Sequence, residues 1–119
     1  MDLKTFFYIL NSCLIIVHEI ESGYEREWEI LNLPFKLKGF LIIHILIIIL
    51  IGVLEIYKFT LLGKIIGYII SIGGTLPLII HKFLFNKENH FNSKISNFII
   101  YSNFLISIIL LVLISIKIN

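Results

Sequence analysis

Four long runs of apolar residues, separated by short polar stretches, organise this chain. They cover about 3–20, 39–57, 61–81 and 95–116. Each is close to the ~20 residues a helix needs to cross the hydrocarbon of a bilayer. Within 41–54 only His44 and Gly52 interrupt the apolar sequence, and such a run would aggregate if it faced water. The pattern predicts an all-α fold: a four-helix transmembrane bundle with a short interfacial segment between the first and second helices. Residues 1–119 read as a single integral membrane domain.

The connections sharpen this reading. The first, 21–38, is the longest and the most charged. Asn32-Leu33-Pro34-Phe35 is expected to turn the chain at the end of a short interfacial helix, because a residue before proline is pushed out of the helical region. Trp28 suits the headgroup level. The second connection, 58–60, is very short and makes spans two and three an antiparallel hairpin. The third, 86–93, is polar and holds His90. Asp2 and Lys4 precede the first run as in a signal peptide, yet there is no small-x-small cleavage site and no alanine anywhere, so the first span is expected to be retained. An even number of spans places both ends on one side. Lys4, Lys58, Lys64 and Lys117 fall on that side, and Arg26, Lys36, Lys38, Lys82, Lys87 and Lys94 on the other, a bias too small to orient the protein.

Composition agrees with the pattern. Apolar residues make up 58% and charged residues 15%, and the mean hydropathy is +0.99. Soluble chains average roughly 45–50% apolar and about 25% charged. The net charge of +2 is scattered and forms no basic stripe, so nucleic acid is not an expected partner; the bilayer is. The single Cys13 lies in an apolar run and can form no intramolecular disulfide.

Ionisable groups at a membrane boundary are costly, so a cluster of them marks a candidate functional site. His18-Glu19-Ile20-Glu21 and the stretch 25–29 bring one histidine and most of the acidic residues to one end of the bundle. His81 ends the third span at the same end, His44 sits about 9 Å into the second span at ~1.5 Å per residue, and His90 lies in a loop there. On a continuous first helix Asn11, His18 and Glu25 share one face, with Glu21 beside it. The candidate polar site is therefore His18, Glu21, Glu25, His44 and His81. Of these, His18, Glu21, His44 and His81 could ligate a divalent transition metal such as zinc, manganese or iron. His18-x-x-Glu21 has the i, i+3 spacing of ligand pairs in helical-bundle metal sites. The same groups could instead exchange protons with a small apolar molecule.

Plainer readings stand beside these. His18 and His81 can simply end their spans at the interface, and His90 can be an ordinary loop residue. Glu25, Glu27 and Glu29 read as a solvated face around Trp28, and Glu55 as a cap near Lys58. Gly63-x-x-x-Gly67 and Gly73-Gly74 read as helix-packing notches, Pro77 as a kink, and Ser96, Asn103 and Ser107 as an interhelical polar stripe.

Taken together, His18-Glu19-Ile20-Glu21, Glu27-Trp28 and His44, followed by His81, His90-Phe91 and Ser96, resemble a group of small uncharacterised four-span prokaryotic membrane proteins. Their signature is His-Glu-aliphatic-Asp/Glu, then Glu-Trp, then an early second-span histidine. The first element is also similar to the HXXEE family, with Ser22 where that family has a second consecutive glutamate. The resemblance implies four helices and a prokaryotic cell membrane, and no activity. Two functional classes follow from the residues: a membrane-embedded His/Glu site, metal-binding or acid–base; or a non-enzymatic subunit that joins a membrane-protein partner, homo-oligomerises or forms a pore.

Overall fold

The structure, a computed structural model, describes residues 1–57, 60–85 and 90–116, apart from the side chains of 55–57. The expected Glu55 cap beside Lys58, and the positions of Lys87 and Lys117, lie outside the described residues. Among the described residues five α-helices follow in order: α1 (Leu3–Tyr24), α2 (Glu27–Ile30), α3 (Lys36–Tyr57), α4 (Leu61–Leu78) and α5 (Lys94–Ser115). A π-helical segment, Ile79–Leu84, extends α4. Four of these, α4 being counted together with the π segment, are long and apolar enough to cross a membrane.

Local chemistry sets the helix starts. The side chains of Asp2, Thr60 and Ser93 each accept a hydrogen bond from the backbone N–H three residues on, at 2.9, 3.1 and 2.9 Å. Each satisfies a donor that the first helical turn leaves without a partner. Between α1 and α3 the path is bent by residues in the left-handed region: Arg26 (φ 55°), Asn32 (φ 51°), Phe35 (φ 61°) and Lys36 (φ 48°). None is glycine, so each is held there by its surroundings. The Asn32–Phe35 turn was expected. The break at Arg26 was not, and it redirects everything that follows α1.

Contacts fix the arrangement. Tyr8 of α1 lies by Gly67 of α4 and Ile114 of α5 near one end, while His18 of α1 meets His81 beyond α4 at the other. So α1 and α4 run in the same direction and α5 against them. α5 packs along both α1 and α4, whereas α3 packs on α4 and on the short α2, outside this three-helix core. An apolar cluster of Tyr8, Ile15, Leu54, Ile66, Ile70 and Leu110 fills the first end, and Ile30, Leu78, Phe91 and Ile100 close the other. Leu41, Ile42, Ile45, Leu46, Ile48 and Ile49 of α3 are exposed.

Between the two clusters the core is polar. Asn11, Ser71, Asn103 and Ser107 are fully buried, and the Ser107 hydroxyl donates to Asn11 Oδ1 at 2.6 Å. Polar side chains turned inward join helices where lipid could not satisfy them. Gly74 makes room for this group: a Cβ there would lie 3.0 Å from both Asn103 Oδ1 and Asn11 Oδ1 and would overlap Ser107 Oγ. Gly67 is similarly tight against Ile114. Gly73 differs from the packing notch expected of it, because a Cβ there meets nothing within 4 Å.

Pro77 does not end its helix. It is buried inside α4, and two residues later the hydrogen bonding widens to the π pattern, closing with Phe85 N–H donating to the Ile80 carbonyl at 2.7 Å. Proline removes a backbone donor, and the wider turn is one way to resume the ladder after it. The same wide turn carries His81.

Candidate functional site

Three histidines and two glutamates meet at the end of the bundle where α1, α2, α3 and the π segment converge. His18 comes from α1 and His81 from the π segment, their ring centroids 5.3 Å apart. Phe91 covers both, stacked on His81 at 3.8 Å and tilted against His18 at 5.5 Å. Glu27, the first residue of α2, places Oε1 2.9 Å from His81 Nε2. His18, Glu27 and His81 are all buried, and each offers one ligand atom within 4.8 Å of the other two.

A second group adjoins the first through the same carboxylate. Glu19, Glu27 and His44 also offer ligand atoms within 4.8 Å of one another. Here His44 Nε2 makes a close contact with Glu19 Oε2, and His44 Nδ1 lies 2.5 Å from the Phe40 carbonyl one helical turn back. A proton on Nδ1 donated to that carbonyl leaves Nε2 to face the carboxylate. Both ring nitrogens of His44 are thus engaged.

His18 and His81 are in a different state. Among the described residues, Nδ1 of His18 and both nitrogens of His81 are buried without a hydrogen bond; the His81–Glu27 contact is close but outside hydrogen-bond geometry. His18 Nε2 has only Ser22 Oγ, at 3.4 Å. A buried polar atom without a partner costs about 1–3 kcal/mol, and native interiors carry few of them. Glu27 lies outside the four long helices. Burial pushes its carboxyl up, but the imidazoles of His81 and His18 more than offset this and hold it below the usual range, favouring the ionised form.

The other residues singled out in the sequence have different company. Glu21 stands 3.9 Å from His18 Nδ1 and belongs to neither three-residue group. Glu25 lies away from the cluster and pairs with His90 Nδ1 at 2.8 Å, tying the end of α1 to the loop before α5. Glu29 pairs at the surface with Arg26 at 2.6 Å. Glu27 and Glu19 were missed. The solvated-face reading of Glu27 fails because the left-handed turn at Arg26 swings α2 back under the bundle, burying Glu27 and Ile30, which share one side of the short helix. The Glu27-Trp28 element of the resemblance was the available signal for it.

An apolar cavity of about 530 Å3 opens from the cluster between α1, α3 and α4. Its polar lining is His18, Glu19, Glu27, His44 and His81, all at one end. The arrangement can hold a cation among nitrogen and oxygen donors, pass a proton through the His44–Glu19 pair, and present both to a ligand in the cavity.

Comparison with curated proteins and with solved structures returns no match. Residues 4–117 match the model of a family of unknown function, DUF6713, and with nearly its whole length so covered the chain belongs to that family.

Proposed function

We propose that this is a multi-pass integral membrane protein of one domain whose His18, Glu27 and His81 bind one divalent transition metal near one membrane face. The His44–Glu19 pair beside it exchanges protons with the molecule bound there. The observation that carries the reading is geometric: among the described residues, His18 and His81 hold buried imidazole nitrogens without a hydrogen bond, grouped with the Glu27 carboxylate within 4.8 Å. A cation among them takes one nitrogen from each ring and one carboxylate oxygen. Two nitrogens and a carboxylate oxygen suit zinc, manganese or iron. Three protein ligands leave a further position for water or substrate, as in catalytic rather than structural zinc sites. His44 is assigned the acid–base role because its two nitrogens are already engaged, one of them fixing the tautomer. Four of the five residues, His18, Glu19, Glu27 and His44, fall in the motifs by which the sequence resembles small four-span prokaryotic membrane proteins.

Elemental analysis of protein purified without chelators tests this. Wild type should carry about one equivalent of metal, and Glu27→Gln and His81→Ala should lose it, since three-ligand sites depend on every ligand. His44→Ala should keep it. Metal-free wild type refutes the metal reading, and full occupancy in Glu27→Gln refutes the assigned ligands.

A further inference from the structure

The cavity beside the cluster is far larger than an ion needs. At about 530 Å3 it falls within the ~300–1,000 Å3 of small-molecule sites. Beyond its polar end the lining is aliphatic. From His44 to Leu50 on α3 and from His81 to Ile69 on the π segment and α4 it extends, at ~1.5 Å per residue, about 9 and 18 Å. Ile43, Ile69, Ile72 and Leu76 line the cavity and are also exposed. Its mouth therefore opens sideways, on the flank that a four-span protein gives to lipid. Gly73 sits midway along the slot, facing the space that a side chain there would occupy.

We infer that the site takes a single-chain amphiphile: one aliphatic chain along the slot, ending in a carboxylate or hydroxyl oxygen at the His/Glu cluster. The inference rests on the reading of that cluster as a metal site, which gives the head group its partner. A chain of ~1.5 Å carbon–carbon bonds at tetrahedral angles advances about 1.25 Å per methylene. The two walls thus accommodate roughly seven to fourteen extended carbons. The contrast between the two ends sets the class. A plain hydrocarbon leaves the open metal position without a partner, and a small polar molecule leaves the aliphatic length unfilled. Oxygen heads suit zinc, manganese and iron alike. Lateral entry brings such a molecule to the cluster directly from the bilayer, its polar end never crossing the hydrocarbon alone.

A photoreactive, diazirine-bearing dodecanoate tests this with protein in phosphatidylcholine nanodiscs. Labelled residues are mapped by peptide mass spectrometry, and metal is measured on the same samples. Wild type should label saturably on 43–50 and 69–76. Excess unlabelled dodecanoate or dodecanol should compete, and dodecane should not. Gly73→Leu, which fills the slot, should cut labelling by roughly tenfold or more, because the new side chain takes the ligand's volume, with metal content unchanged. Labelling that does not saturate, or that dodecane competes equally, overturns the inference even in fully metallated protein. Saturable, head-group-dependent labelling of metal-free protein supports the amphiphile site while removing the metal reading. If Gly73→Leu fails to fold, the competition in wild type decides alone.

Discussion

Adjacent glycines on α4 should respond to the same substitution with opposite signs. A methyl group at Gly74 meets the buried polar core: it overlaps Ser107 Oγ and stands 3.0 Å from the side-chain oxygens of Asn11 and Asn103. Ser107 can rotate away only by giving up its 2.6 Å hydrogen bond to Asn11 Oδ1. Loss of that bond costs about 1 kcal/mol, and an acceptor left buried brings the figure to about 1–3 kcal/mol. Crowding the two amides adds roughly 1–3 kcal/mol, as overpacking does elsewhere. Against this stands at most about 1 kcal/mol of helix propensity gained from Gly→Ala, less where the denatured state keeps its helices. The net expectation for Gly74→Ala is a loss of about 1–6 kcal/mol, taking these terms together. Gly73→Ala meets nothing within 4 Å and should be neutral or stabilising by up to about 1 kcal/mol. Equilibrium unfolding in mixed detergent micelles measures both. Ser107→Ala combined with Gly74→Ala should recover part of the loss, because the overlapping hydroxyl is gone, giving a favourable coupling of about 0.5–3 kcal/mol. Equal stability of Gly74→Ala and Gly73→Ala would refute the packing argument.

Tags placed at Asn32 and after residue 119 should be accessible from opposite faces of a sealed vesicle, and labelling from the same face removes the four-span topology. Replacing Ser93 by Ala removes the hydroxyl that caps α5 and should lower stability by about 1 kcal/mol in the same unfolding assay; Ser93→Asp should restore it. The Glu25–His90 pair is partly exposed, so Glu25→Gln should cost no more than about 1 kcal/mol and leave metal content at the wild-type level. Loss of metal in that variant would place Glu25 in the site after all.

Four helices long and apolar enough to cross a bilayer were legible in the chain because that property depends on length and composition alone. Any run of that length without charge has it whatever its neighbours do. The polar stripe of Ser96, Asn103 and Ser107 and the depth of His44 could be read for a similar reason, since periodicity and position along a helix are local properties. That His18 and His81 lie at one end followed from counting residues along spans that alternate in direction, so that the first and third end on the same side. Which carboxylate joins them did not. Glu21 sits at the right spacing on α1 and Glu27 lies beyond the helix end, yet it is Glu27 that reaches the histidines, because Arg26 adopts a left-handed conformation that turns α2 inward. Local propensity does not favour that conformation at arginine; packing against the bundle holds it there. The π turn after Pro77, which aims His81 at His18, and the position of α3 outside the three-helix core, which opens the cavity at Gly73, depend likewise on how helices distant in sequence pack together. A chain read one segment at a time carries no record of such contacts.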